Sequence, residues 1–141
     1  MTKVTWSGHP SLLELTWMAF ARPLIIQDST LAPAAEWSPP SWGWTLARIA
    51  EGSGYCLHQG ATCELHAGDG LMAPHTTRVA IRASQLGLLR LQFCQIQPEL
   101  LNGLLTVAES QRLKILQGHP SPIFFFKADD LNGRRFARLV E

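Results

Sequence analysis

Charge of either sign is scarce in this 141-residue chain, where 12 Lys+Arg stand against 11 Asp+Glu and charged residues make up 16%. A formal charge of +1 gives no overall basic field for gripping phosphates, which excludes nucleic-acid binding by these residues on their own. Disorder needs low hydrophobicity and high net charge, and a chain that is 46% hydrophobic has the reverse. Apolar runs of about 18 residues are missing, and so is a charged-then-apolar signal peptide, which predicts a soluble cytoplasmic protein with no membrane partner. Cysteine is sparse and odd in number. Cys56, Cys63 and Cys94 argue against a secreted disulfide framework and read as reduced, buried thiols. What these absences leave is one globular domain with a sizeable core.

Residues 1 to 41 show no clear period, although Leu12, Leu13, Leu15, Trp17, Met18 and Phe20 supply apolar mass for packing. Pro33, Pro39 and Pro40 make the stretch to Trp42 an extended arm or loop, since proline fits neither a central strand nor a helix interior. From Trp42 the character changes. Strand-length apolar runs, Trp44 to Glu51, Gly54 to His58, Thr62 to His66, Leu71 to Ala73, Thr77 to Arg82 and Leu86 to Gln97, alternate with glycine-bearing punctuation. Val79 and Ile81 alternate with Arg78, Ala80 and Arg82, and Leu89, Leu91 and Phe93 with Arg90 and Gln92. The pattern predicts an antiparallel β-sandwich or barrel over 42–97.

After Pro98 the period becomes helical. Leu100, Leu101, Leu104 and Leu105 form an apolar stripe, and Thr106-Val107-Ala108-Glu109 matches a capping box for a helix running to about Gln117 and stopping at Gly118. Pro120 and Pro122 enforce an extended link through Phe126, and Asp129 or Asp130 offers an N-cap for a last helix, Leu131 to Val140. That helix has no stop signal before Glu141, which predicts a longer parent polypeptide. Residues 1–97 therefore read as a β domain with an N-terminal arm, and 98–141 as a helical linker or dimerisation segment of the same compact unit.

His58, His66 and His75 share the β region, and imidazoles on adjacent strands can converge on zinc, iron or nickel. If Gln59-Gly60 is a two-residue hairpin turn, however, His58 shares a face with Cys56 while His66 belongs to the other face, so no metal is expected. The same register sets Cys56 opposite Cys63; it permits a cross-strand disulfide, while the lack of a secretory signal favours two thiols side by side. Nothing places a base, an orienting carboxylate and an oxyanion hole around a cysteine, so no catalytic residue is assigned. Gly52-Ser53-Gly54 and Gly68-Asp69-Gly70 lie between strands and serve turns rather than phosphates. Trp37, Trp42 and Trp44, set among prolines, offer an aromatic rim for an apolar or sugar-binding pocket, with core packing as the alternative for each.

The order Gly52-x-Gly54, Gly60, then Leu65-His66-Ala67-Gly68-Asp69-Gly70-Leu71-Met72-Ala73-Pro74-His75 resembles the cupin domain that forms the N-terminal sensor half of AraC-type transcriptional regulators, with Ala67 where that family has proline. The likeness covers about a third of the chain directly, and the following helices agree with the family's order of barrel, linker helices and DNA-binding domain. Enzymatic cupins carry His-x-His and Glu before a first-motif glycine and a histidine after a second-motif proline. Here Ser38, Pro40 and Thr45 fall at the first set and Val79 at the second, so the resemblance implies the β scaffold without its metal and without a cofactor. It implies a non-enzymatic domain that senses a small effector, a sugar or related metabolite, within a homodimer. DNA would be read only by a C-terminal domain absent from these residues. The expected effector residues are Trp42, Trp44, Tyr55, His58, His66 and His75. Leu105, Leu113 and Leu116 are the expected dimer contacts. The competing reading is a stand-alone cupin enzyme acting on a small metabolite.

Overall fold

A computed structural model describes residues 26–101, 103–118 and 123–140. The apolar residues 12–20, the prolines at 120 and 122, and the side chains of Leu139 and Val140 lie outside the described residues. The alternating runs form strands as their period requires, and these assemble into two antiparallel sheets. Their members are β1 (Ile26–Leu31), β2 (Glu36–Trp37), β3 (Trp44–Glu51), β4 (Ser53–His58), β5 (Ala61–His66), β6 (Gly70–Pro74), β7 (Ala80–Ala83), β8 (Leu89–Ile96) and β9 (Phe124–Phe126). The first sheet has the order β1-β8-β3-β6-β9 and the second β2-β7-β4-β5. Two helices follow, α1 (Val107–Gly118) and α2 (Leu131–Val140).

Side-chain alternation sends one face of each sheet into a shared core. Ala47, Ile49, Leu71, Ala73, Leu89, Leu91 and Phe93 come from the first sheet, and Cys56, Leu65, Ile81 and Ala83 from the second. The Gln59-Gly60 turn is the two-residue type expected, with φ of 48° and 76°, and it pairs His58 with Ala61 and Cys56 with Cys63. Close approach explains Gly70: the Phe126 ring of β9 would stand 2.8 Å from a Cβ there.

Several expectations need correction. The arm through residues 33–42 contains β2, which pairs with β7 and is fastened by the Glu36–Arg82 ion pair; proline is tolerated because this is a sheet edge. The region before it, without visible period, contains β1, paired with β8. The run from Thr77 enters a strand only at Ala80, and that from Leu86 only at Leu89, leaving Leu86 and Leu88 exposed in the preceding loop. The helix expected at Pro98 is one 3-10 turn, Pro98–Leu100, and Gly103 with φ of 89° turns the chain before α1. The link through Phe126 is a strand, β9, paired with β6.

Candidate functional site

The end of the sandwich nearest Trp44 gathers polar groups that the core does not use. There the segment 38–41 crosses from β2 toward β3, the loop 75–79 joins β6 to β7, and the β4–β5 hairpin turns. Together they line a cavity of about 470 Å³. Its walls are Pro39, Pro40, Leu57, Val79 and Ala80, with Ser38, Ser41, Gln59, His75, Thr77 and Arg78 as the polar members. Val79 is also part of the buried core, so one lining residue is shared with the sandwich interior. The loop is held at its back: the His58 ring nitrogen Nδ1 is 2.9 Å from the Arg78 carbonyl oxygen. The exposed guanidinium of Arg78 forms no ion pair among the described residues, unlike Arg82 and Arg90, whose carboxylate partners stand on neighbouring strands.

Just inside the same end, Thr45 and Gln95 face each other on the core side of β3 and β8. The Thr45 hydroxyl donates to Gln95 Oε1 at 2.6 Å, and both residues are buried. Gln95 Nε2 is buried without a hydrogen-bond partner. Turning the amide round would orphan the oxygen instead, so one polar end points unpaired into the interior in either orientation.

The six residues expected at an effector site do not come together. His75 lines the cavity; its Nδ1 lies 3.3 Å from the Gly43 carbonyl oxygen and 3.1 Å from Gln117 Nε2, which puts the C-terminal end of α1 beside the mouth. His58 flanks the cavity through its contact with Arg78. Trp42 is half-buried in the bend before β3. Trp44 is buried, but alternation places it on the opposite face of the first sheet from Thr45 and the core. Tyr55 and His66 project from the outer face of the second sheet, where His66 Nε2 is 3.3 Å from Glu64 Oε1. Arg78, the prolines and Gln95 were not among the expected residues. Arg78 read as the solvated side of an alternating strand, and nothing in a sequence marks a buried amide as unpaired.

Asp69 of the glycine–aspartate turn has a structural task. Its buried carboxylate accepts from the His66 amide at 3.0 Å, the Ala128 amide at 3.2 Å and the Lys127 ammonium at 3.2 Å, and so fastens the segment before α2 to the β5–β6 turn. Burial pushes its pKa up, but the His66 amide, Lys127 and the Ala128 amide outweigh that and hold it below the ordinary carboxyl range. Thr45 and Val79, at the positions of enzymatic metal ligands, are both buried. Among the described residues no group of three His, Cys, Asp or Glu side chains is placed to hold a metal ion. Among them, too, no helix is long and apolar enough to cross a membrane.

No protein-family model matches the sequence, and no curated protein matches it. Solved structures do. The chain is similar to ToxT from Vibrio cholerae, with a TM-score of 0.60 at 7% identity over 85% of this chain and 48% of that one. It is similar to unsaturated fatty acid-bound ToxT from Vibrio cholerae strain SCE256, with a TM-score of 0.52 at 8% identity over 81% and 44%. A Cupin 2 conserved barrel domain protein from Salinispora arenicola CNS-205 gives 0.50 at 15% identity over 67% and 72%. The fold is cupin-like. Its structural neighbours are ToxT, an AraC-family regulator, and cupin-superfamily proteins, the two groups that the turn at Gly68-Asp69-Gly70 resembles. The chain spans about half the length of the ToxT structures it matches.

Proposed function

We propose that this cupin-like domain is the non-enzymatic effector sensor of an AraC-type transcriptional regulator acting in the cytoplasm, with DNA recognition falling to a helix-turn-helix domain outside these residues. The observation that carries the reading is the mouth cavity, at the end of a sandwich folded like half of ToxT and touched by the helix that follows. Its exposed surface is mostly apolar, with six polar residues set into it, and the Arg78 guanidinium forms no ion pair among the described residues. This combination suits a small molecule with an apolar body and one carboxylate better than a sugar, whose many hydroxyls each need a partner. Two neighbours have such ligands: ToxT bound to an unsaturated fatty acid, and ToxT bound to (E)-4-(8-methylnaphthalen-1-yl)but-3-enoic acid.

Calorimetric titration with fatty acids of graded length, and with a pentose and a hexose, tests the reading. A fatty acid should bind, and Arg78→Ala should weaken it by roughly tenfold to a hundredfold, the worth of one charge-assisted hydrogen bond. Sugar binding indifferent to Arg78 would restore the sugar effector implied by the family resemblance. Binding of neither class would leave the cavity without a sensing role.

A further inference from the structure

Cys56 and Cys63 are direct partners across the β4–β5 hairpin, and both are free thiols. The two-residue turn makes His58–Ala61 a hydrogen-bonded pair, so alternation makes Cys56–Cys63 one as well. The Cα atoms of such pairs stand about 5.5 Å apart, inside the span of roughly 4.4–6.8 Å that a disulfide bridges. Both side chains leave the same face: Cys56 belongs to the core, and Cys63 packs against it from the edge strand. Their access differs. Cys56 is fully buried, whereas Cys63 is half-buried on the edge strand.

We propose that Cys56 and Cys63 form a reversible redox couple, in which a hydroperoxide oxidises Cys63 and Cys56 then closes a cross-strand disulfide. In the first step the Cys63 thiolate attacks the peroxide; a sulfur–oxygen bond forms, the oxygen–oxygen bond breaks and the alcohol or water leaves. In the second, the Cys56 sulfur attacks the Cys63 sulfenic sulfur, the sulfur–oxygen bond breaks, and hydroxide departs as water with the Cys56 proton. Overall two thiols lose two electrons and two protons, and the hydroperoxide becomes an alcohol and water. Burial and the neighbouring Cys63 push the Cys56 thiol up to about 11, which leaves Cys63 as the thiol that meets the peroxide first. A bridge closing so short a loop gains less from chain entropy than one closing a long loop.

The whole chain, treated with one equivalent of hydrogen peroxide and then denatured, should fall from three titratable thiols to one. Alkylation should mark Cys94 alone. The tryptic peptide Ile49 to Arg78, which contains both cysteines, should be lighter by two hydrogen atoms and return to its original mass with dithiothreitol. In Cys56→Ser, Cys63 should remain as a sulfenic acid that dimedone traps. Three thiols left intact, a Cys63 sulfinic acid with Cys56 still alkylated, or a bridge to Cys94 would each overturn the proposal.

Discussion

The carboxylate of Asp69 shows how one residue sets a pH dependence. Its folded pKa is lowered, so the stability it contributes is present above its unfolded value, near ~3.9, and is lost as pH falls through the folded one. Asp69→Asn should cost about 2 kcal/mol at neutral pH by weakening bonds to two amides and an ammonium. It should also flatten the acid limb of the stability curve. Urea unfolding at pH 7 and pH 3 checks this, and an equal loss at both would show that ionisation is irrelevant. Thr45 and Gln95 carry the opposite lesson. Removing one partner of a buried polar pair strands the other, whereas replacing both with apolar groups of similar shape can be neutral. Thr45→Val should therefore destabilise by about 1–3 kcal/mol, and Thr45→Val with Gln95→Met by less than the single change. Denaturation midpoints of the two variants decide it.

Helix α1 depends on its cap more than most helices do, because it has no buried residues to hold it. The Thr106 hydroxyl accepts from the Glu109 amide at 3.2 Å, while the Glu109 carboxylate accepts from the Thr106 amide at 2.8 Å, the reciprocal pair of a capping box. The Thr106 amide, and the Thr106 hydroxyl that donates to the same carboxylate at 2.9 Å, hold the Glu109 carboxyl below its usual range, so the cap should weaken as pH falls through that lowered value. Thr106→Ala should speed amide exchange over residues 107–110 and lower helical circular dichroism, with the sheet signals unchanged. Capping chemistry of this kind is local, which is why α1 and α2 were legible within a residue or so of their ends. Strands with alternating burial were legible for the same reason. Three others were not: β1 buries only Leu31, β2 is two residues long among prolines, and β9 is three phenylalanines in a row with no alternation to read. Such edge strands are defined by partners distant in the chain. The mouth cavity is still less visible, since its lining comes from segments 38–41, 57–59 and 75–80, which only the fold brings together.

In the whole molecule, the two helices stand in different relations to the sandwich. Helix α2 is anchored: Phe136 is buried edge-on against Phe126 of β9, and Gly133 lies so close to the Lys127 carbonyl that no Cβ fits. Phe136→Ala should cost about 3 kcal/mol. Helix α1 touches the loop after β6 through Thr76 and His75 at its C-terminal end, and two of its large apolar side chains stand in solvent. Val107 and Ile115, eight residues apart and on one helical face, are 76% and 63% exposed, and Leu104 just before the cap is 79% exposed. Leu105, Leu113 and Leu116, the expected dimer contacts, are half-buried. Apolar surface of this kind is more stable against an identical copy than in water, and a two-fold axis lets one patch cover itself. The homodimer that the family resemblance implies would therefore centre on Val107 and Ile115, with Leu113 and Leu116 at its margin. Sedimentation of the chain should give a dimer at micromolar concentration, and Ile115→Glu should shift it to monomer with its sheet intact, because that side chain supports nothing inside the sandwich. Leu113→Glu and Leu116→Glu should weaken the dimer less. A chain that stays monomeric at about 100 micromolar would defeat the dimer proposal.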